Sequence, residues 1–164
     1  MESAHMNQNI EKNPYRFDLA QISAVANHVL AQRVAAYPDA VSAGRMTQAD
    51  ADRGIRILTA IAGIFHAAAR VEPMPARKAT RAEMSAEMAH IAHRATERAD
   101  RAKAELYERG QTVRGIALCC QMMAHYLRPW NGDSNAAESM IERNVALTLE
   151  IRADLKASQQ RKAA

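Results

Sequence analysis

Glu87, His90 and His93, spaced by three, carry the sharpest chemical signal in the sequence. On a helix that spacing brings all three side chains roughly to one face. A carboxylate with two imidazoles is a proper donor set for Zn or Fe. The competing reading is plainer: polar residues that flank an apolar seam from Met84 to Ile91. Helical di-iron bundles need two Glu-x-x-His motifs and two further glutamates. This chain has one such motif, and the zinc-protease order His-Glu-x-x-His is absent. A metal site at Glu87, His90 and His93 is therefore the minor expectation, and no cofactor is expected.

The two cysteines, Cys119 and Cys120, are adjacent. Neighbours on a helix point about 100° apart and are poorly placed to bridge each other. They read as buried, inert thiols of a protein in a reducing cytosol. His125 follows Cys120 by about one and a half turns and lies on another face, which argues against a Cys–His nucleophile. His66 and His125 sit at the edges of apolar stripes and read as hydrogen-bonded core residues. No glycine-rich phosphate loop, nucleophile elbow or paired-cysteine zinc motif is present. The chemistry missing from the chain favours binding over catalysis.

Glu108 to Ala117 looks like the opening of a helix-turn-helix, in which Gly-x-Ser/Thr precedes an Ile-Ala helix. The likeness stops at Ala117. A turn and a distinct recognition helix should follow, yet Leu118 to Leu127 continues as one helix without glycine.

The net charge is +4, but it is not gathered on one segment. Residues 80–109 hold six basic and six acidic side chains. The local excess is Arg70, Arg77, Lys78 and Arg81 against Glu72. With Arg94, Arg98 and Arg101 farther along, these are the candidate residues for contacting a partner. The partner expected first is another protein; a nucleic acid held by residues 70–81 and the C-terminal tail is the alternative.

Five helices can be read from their punctuation. The first opens at Asn13-Pro14 and runs to about Ala36, with Phe17, Ile22, Val25, Val29 and Leu30 inward. Pro38 then restarts a short turn that Gly44 closes in the left-handed region. Thr47 caps the second helix, with Asp50 placed for a capping box. Its core stripe is Ala51, Ile55, Leu58, Ala62 and Phe65, and it ends near Arg70. Gly54 and Gly63 interrupt it, which implies close approach of a neighbour. Pro73 and Pro75 break the chain, and Thr80 with Glu83 forms a second capping box.

The third helix is expected to run about 30 residues to Gly110, on a near-heptad seam of Met84, Met88, Ile91, Ala95, Ala99, Ala102 and Leu106. Such a helix would overhang its domain and invite a second copy of the chain. The fourth, from Thr112 to before Pro129, is apolar almost all round and should be central. The fifth begins at Ser134 or Asn135, with Met140, Ile141, Val145, Leu147, Ile151 and Leu155 inward. No strand pattern is seen, and no stretch approaches the roughly 18 apolar residues of a membrane span. Residues 1–13 are expected to be disordered, 14–157 to form one helical domain, and 158–164 a basic tail. Met1–His5 has the look of a cloning remnant ahead of Met6.

Arg33 to Ile61, with Tyr37-Pro38, Val41, Gly44-Arg45-Met46-Thr47 and Ala51-Asp52-Arg53, resembles small helical proteins common in phage and prophage genomes. Their usual pattern is Tyr-Pro-x-x-Val, Gly-Arg-Met-Ser/Thr, then Ala-Asp-Arg-Glu-Ile; here Gly54 stands in place of the Glu. The resemblance covers under a fifth of the chain and carries no active site. It implies a phage or mobile-element origin. The expectation is thus an all-α five-helix bundle, made of a front hairpin and a three-helix unit. Its expected role is that of a non-enzymatic, cytoplasmic accessory protein, such as a host-factor or defence inhibitor or an assembly component.

Overall fold

A computed structural model describes residues 18–102, 107–108 and 111–163. Among these residues there are five helices: α1 (Leu19–Ser42), α2 (Gln48–Arg70), α3 (Arg81–Arg101), α4 (Val113–Tyr126) and α5 (Met140–Ala163). Two-residue strands β1 (Tyr107–Glu108) and β2 (Gln111–Thr112) pair antiparallel between α3 and α4. Among the described residues no helix is long and apolar enough to cross a membrane. The fold is all-α, as its alanine-rich composition and 3.6-residue periodicity require.

The helices form two hairpins, α1 with α2 and α3 with α4, joined by contacts of α1 with α4 and of α2 with α3. The shared core is aliphatic and sulfur-rich. Ile22, Val25, Leu58, Ile61, Ile64, Phe65, Met84, Met88, Met123 and Leu127 are fully buried in it. The fourth helix is central, as expected: Val113, Ile116, Cys120, Met123 and Leu127 are all buried. The fifth packs chiefly on α2, and its Ile141 and Val145 join the same core.

Four boundaries differ from expectation, each for a local reason. Asp18 caps α1, its Oδ1 accepting from the Gln21 amide at 2.8 Å, so the helix starts at Leu19. The start read at Asn13-Pro14, with Phe17, lies outside the described residues. Pro38 does not interrupt α1. It faces solvent, so the carbonyl it leaves without an amide donor can turn to water. The helix ends at Gly44 in a left-handed φ of 66°, where the Gly44 and Arg45 amides donate back to the Val41 and Ala40 carbonyls.

The third helix ends at Arg101, and Tyr107–Glu108 are extended. It is therefore 21 residues long and does not reach Gly110, and the overhang expected to recruit a second copy is absent. Its Met84, Met88 and Ile91 seam is spent on the chain's own core. The fifth helix begins at Met140 and not at Ser134 or Asn135. Its start is a capping box that uses Ser139 and Glu142: the Ser139 amide and hydroxyl donate to Glu142 Oε2 at 2.8 and 2.6 Å.

The box at Thr80 and Glu83 is complete, whereas that at Thr47 is half-formed. Thr47 Oγ1 accepts from the Asp50 amide at 3.1 Å, but the Asp50 carboxylate takes the Thr47 hydroxyl at 2.6 Å instead of its backbone amide. Aspartate is one methylene shorter than the glutamate that completes a box.

The two helical glycines of α2 do different work. A Cβ at Gly54 would lie 2.9 Å from Tyr37 Oη and 3.0 Å from Tyr37 Cε2, so the tyrosine of α1 lies directly on the α2 backbone. A Cβ at Gly63 would meet Pro75 Cγ at an ordinary 3.4 Å. Gly63→Ala is therefore expected to raise unfolding stability by about 1 kcal/mol through helix propensity alone. Gly54→Ala is expected to lose about 1 kcal/mol net, because overpacking costs more than propensity returns. Placing Gly54→Ala on a Tyr37→Ala background should turn that loss into a gain. Equal effects of the two single substitutions in urea unfolding would contradict this.

Candidate functional site

Two open clefts meet along α3. The first lies between α1, α2 and α3 and is lined by Arg33, Tyr37, Arg53, Gly54, Asp50, Glu83, Glu87, His90 and Arg94. The second lies between α1, α3 and α4. Arg33, Arg94, Arg98 and Arg101 rim it, with Gln32, over Val29, Ile91, Ala95, Ala102, Val113, Ile116 and Cys120. Arg33 and Arg94 line both.

The first cleft is a mixed-charge site whose carboxylates are largely committed. Glu83 accepts from Arg56 Nη2 at 2.7 Å and from the Thr80 amide at 2.8 Å. The Arg56 hydrogen bond, followed by that of Thr80, holds its carboxyl well below the usual range, at about 2. Burial pushes the Tyr37 phenol up, against the Arg33 charge. Stability drawn from the Glu83 tie is present above pH 4.5, the ordinary value, and is lost as pH falls towards 2. Arg56→Ala should lower stability above pH 4.5 and converge on the wild type as pH falls towards 2, so that this part of the pH–stability curve flattens. A parallel offset at every pH would contradict that origin.

The expected trio divides. Glu87 and His90 line the first cleft, but His93 does not. Its ring is exposed and sits 3.5 Å from Glu97. Residues six apart on a helix are separated by roughly 240° around its axis, so the spacing aligns neighbours in the trio and not its ends. Among the described residues no three His, Cys, Asp or Glu side chains gather in a way that could hold a metal ion. The metal reading at Glu87, His90 and His93 is corrected accordingly.

His66 and His125 are exposed and are not core residues. Cys119 and Cys120 are free and buried. Burial pushes their thiols up to about 11 and about 12, so neither supplies a thiolate near neutrality. Both should resist iodoacetamide at pH 8 in the folded protein and react fully in denaturant. Rapid labelling of either in the native state would contradict their placement. The helix-turn-helix likeness fails as well: Thr112 caps α4, which runs unbroken from Val113 to Tyr126 where a second turn and helix were required.

The basic residues separate into two groups that look alike in sequence. Arg70 pairs with Glu72 at 2.7 Å. Arg77 reaches both Glu142 oxygens, at 2.8 and 3.0 Å, and also donates to the Ala137 carbonyl. Arg81 is buried, donating to the Ala136 carbonyl at 2.6 Å and to the Ser134 carbonyl. Of this linker cluster Arg70 and Lys78 stay exposed, and the Lys78 backbone carbonyl accepts from Arg56. Arg77 and Arg81 are thus structural clamps on the 129–139 loop, and their guanidinium groups are spent within the chain and not on a partner.

Arg94, Arg98 and Arg101 do line a cleft. Arg101 shares its charge with Glu97 at 3.4 Å, one helical turn back. Among the described residues no carboxylate forms an ion pair with Arg33 or Arg94.

The chain matches no family model, no curated protein and no solved structure.

The second cleft therefore has to be read from its own chemistry. Among the described residues its lining has four guanidinium groups, no acidic side chain and an apolar floor. Its cavity of about 600 Å³ lies within the range of pockets that hold ligands. Sequence reasoning missed Arg33 and the floor. Arg33 lies 61 positions before Arg94, and the packing of α1 on α4, the hairpin partner of α3, brings them to one cleft.

Proposed function

We propose that this is a non-enzymatic, phage-type accessory protein that acts in the cytoplasm by binding another protein. The observation that carries the reading is the second cleft, in which Arg33, Arg94, Arg98 and Arg101 stand over Val29, Ile91, Val113 and Ile116. The partner is an acidic protein segment that also presents apolar side chains. Carboxylates pair with the guanidinium rim, with arginine well suited to planar, bidentate contacts. The apolar floor separates this from a nucleic-acid backbone, which would use the charges and leave the floor wet. The phage-type part of the reading is supported by the resemblance of residues 33–61.

An NMR titration tests it with two probes, an acidic amphipathic helical peptide and a DNA duplex, at low salt. The peptide should shift the amides of Ala95, Val113 and Ile116 on the cleft floor and wall. Residual binding should survive about 0.3 M salt because part of it is apolar. Tight duplex binding that disappears steeply with salt, with the floor amides unmoved, would favour the nucleic-acid reading and overturn this one.

A further inference from the structure

The fifth helix carries a feature that the cleft does not use. Its first turns hold Ile141 and Val145 in the core, with Leu149 packed against it. Beyond them the helix leaves the body: residues 150–157 are all exposed. Leu147, Ile151 and Leu155, spaced by four, form a ridge along one side and are 39%, 58% and 58% exposed. The sequence pattern led us to expect all three inside. An isolated helical arm of this length is marginal in water, and a ridge of large aliphatic side chains gains by being covered.

We propose that this face of α5 is a self-association surface, on which two copies of the chain pair antiparallel through Leu147, Ile151 and Leu155. The charge pattern of the arm selects both the occupant and its direction. An antiparallel pair centred on Ile151 sets Ile151 against the partner's Ile151 and Leu147 against the partner's Leu155. The same register places Glu150 beside the partner's Arg152, and Arg152 beside the partner's Glu150. The basic end, with Arg161 and Lys162, comes alongside the acidic start of the partner helix near Glu138. A parallel pair would instead lay Lys156, Arg161 and Lys162 against themselves. Such a two-helix contact falls at the small end of specific interfaces, so the dissociation constant should be on the order of 10 μM. This inference stands on α5 alone and does not depend on the arginine-rimmed cleft.

Sedimentation equilibrium of the full chain, over roughly two decades of concentration around that value, should show a monomer–dimer equilibrium. Ile151→Glu, at an exposed position, should give a monomer whose unfolding midpoint matches that of the wild type when both are measured well below the dissociation constant, where both are monomeric. Glu150→Arg and Arg152→Glu should each weaken the dimer about tenfold, since each replaces two attractions with two repulsions. Combining them should restore the wild-type constant to within about twofold. A wild-type monomer throughout the range would overturn the proposal, as would a dimer indifferent to Ile151→Glu or singles that the double does not rescue. A monomeric Ile151→Glu variant that unfolds earlier than the wild type at those low concentrations would also overturn it, because the ridge would then be covered by its own chain.

Discussion

Arg81→Met is expected to lower unfolding stability by about 3 kcal/mol. Arg81 is 7% exposed, and its guanidinium donates to the carbonyls of Ser134 and Ala136, more than fifty residues away. Hydrogen bonds from a charged donor contribute about 1.5–3 kcal/mol each. The full sum is not expected, because the loop carbonyls lie near the surface and water can replace part of what they lose. Methionine fills much of the space left by the arginine stem, so a cavity is not the main term. The sole tryptophan, Trp130, sits in the same loop with Arg143 5.5 Å from its ring centroid, and its emission should report the loop's release. Arg81→Lys should recover only part of the loss, since an ammonium cannot span two carbonyls as the planar fork does. A loss below about 1 kcal/mol in urea unfolding would show that the clamp does not hold the loop.

Glu142→Ala should cost a similar amount, about 3 kcal/mol, by a different route. Its carboxylate is bound by Arg77, by the Ser139 amide and by the Ser139 hydroxyl, and the residue is 9% exposed. Alanine removes one half of the capping box and leaves Arg77, itself only partly exposed, without its counter-ion. Breaking one side of a buried pair costs about 3–5 kcal/mol; the partial exposure of Arg77 places this site at the lower end. Glu142→Gln keeps acceptor capacity for Ser139 and should cost less. The double variant Arg81→Met/Glu142→Ala should lose less than the two singles added together, because both release the same loop and α5 start. Full additivity would mean that they act independently.

What was legible in the sequence was local chemistry. The Thr80/Glu83 box, the left-handed Gly44 and the core faces of α1 and α4 follow from interactions within one or two turns. The Ser139/Glu142 box carries the same signature as that at Thr80. It went unread because Ser134 and Asn135 follow the Asn131-Gly132 turn and offer an earlier start. The sequence pattern overextends the third helix because its alanine seam and charge pairs continue past Arg101; local signals do not say where the chain must turn to reach α4. For α5, periodicity identified which residues share a face, but it cannot say whether anything covers that face. Leu147, Ile151 and Leu155 share one and remain exposed.

The site was the least legible part, for the same reason. Arg77, Arg81 and Arg94 are equivalent in a linear reading. Tertiary packing spends the first two on Glu142 and on backbone carbonyls, and leaves Arg94 beside Arg33 over an apolar floor. Gly54 makes the same point on a smaller scale. Its need for close approach was visible in sequence, but Tyr37 as the group that approaches was not.

The central claim is that the cleft recognises a protein segment by opposite charge over an apolar floor. The most direct measurement is a charge swap. An acidic amphipathic peptide, and the same peptide with every Glu replaced by Lys, are titrated by calorimetry into the wild type and into Arg33→Glu/Arg94→Glu. The wild type should bind the acidic peptide, the variant should lose it at least about 50-fold, and the lysine peptide should prefer the variant. Equal affinity of both proteins for the acidic peptide would contradict the claim.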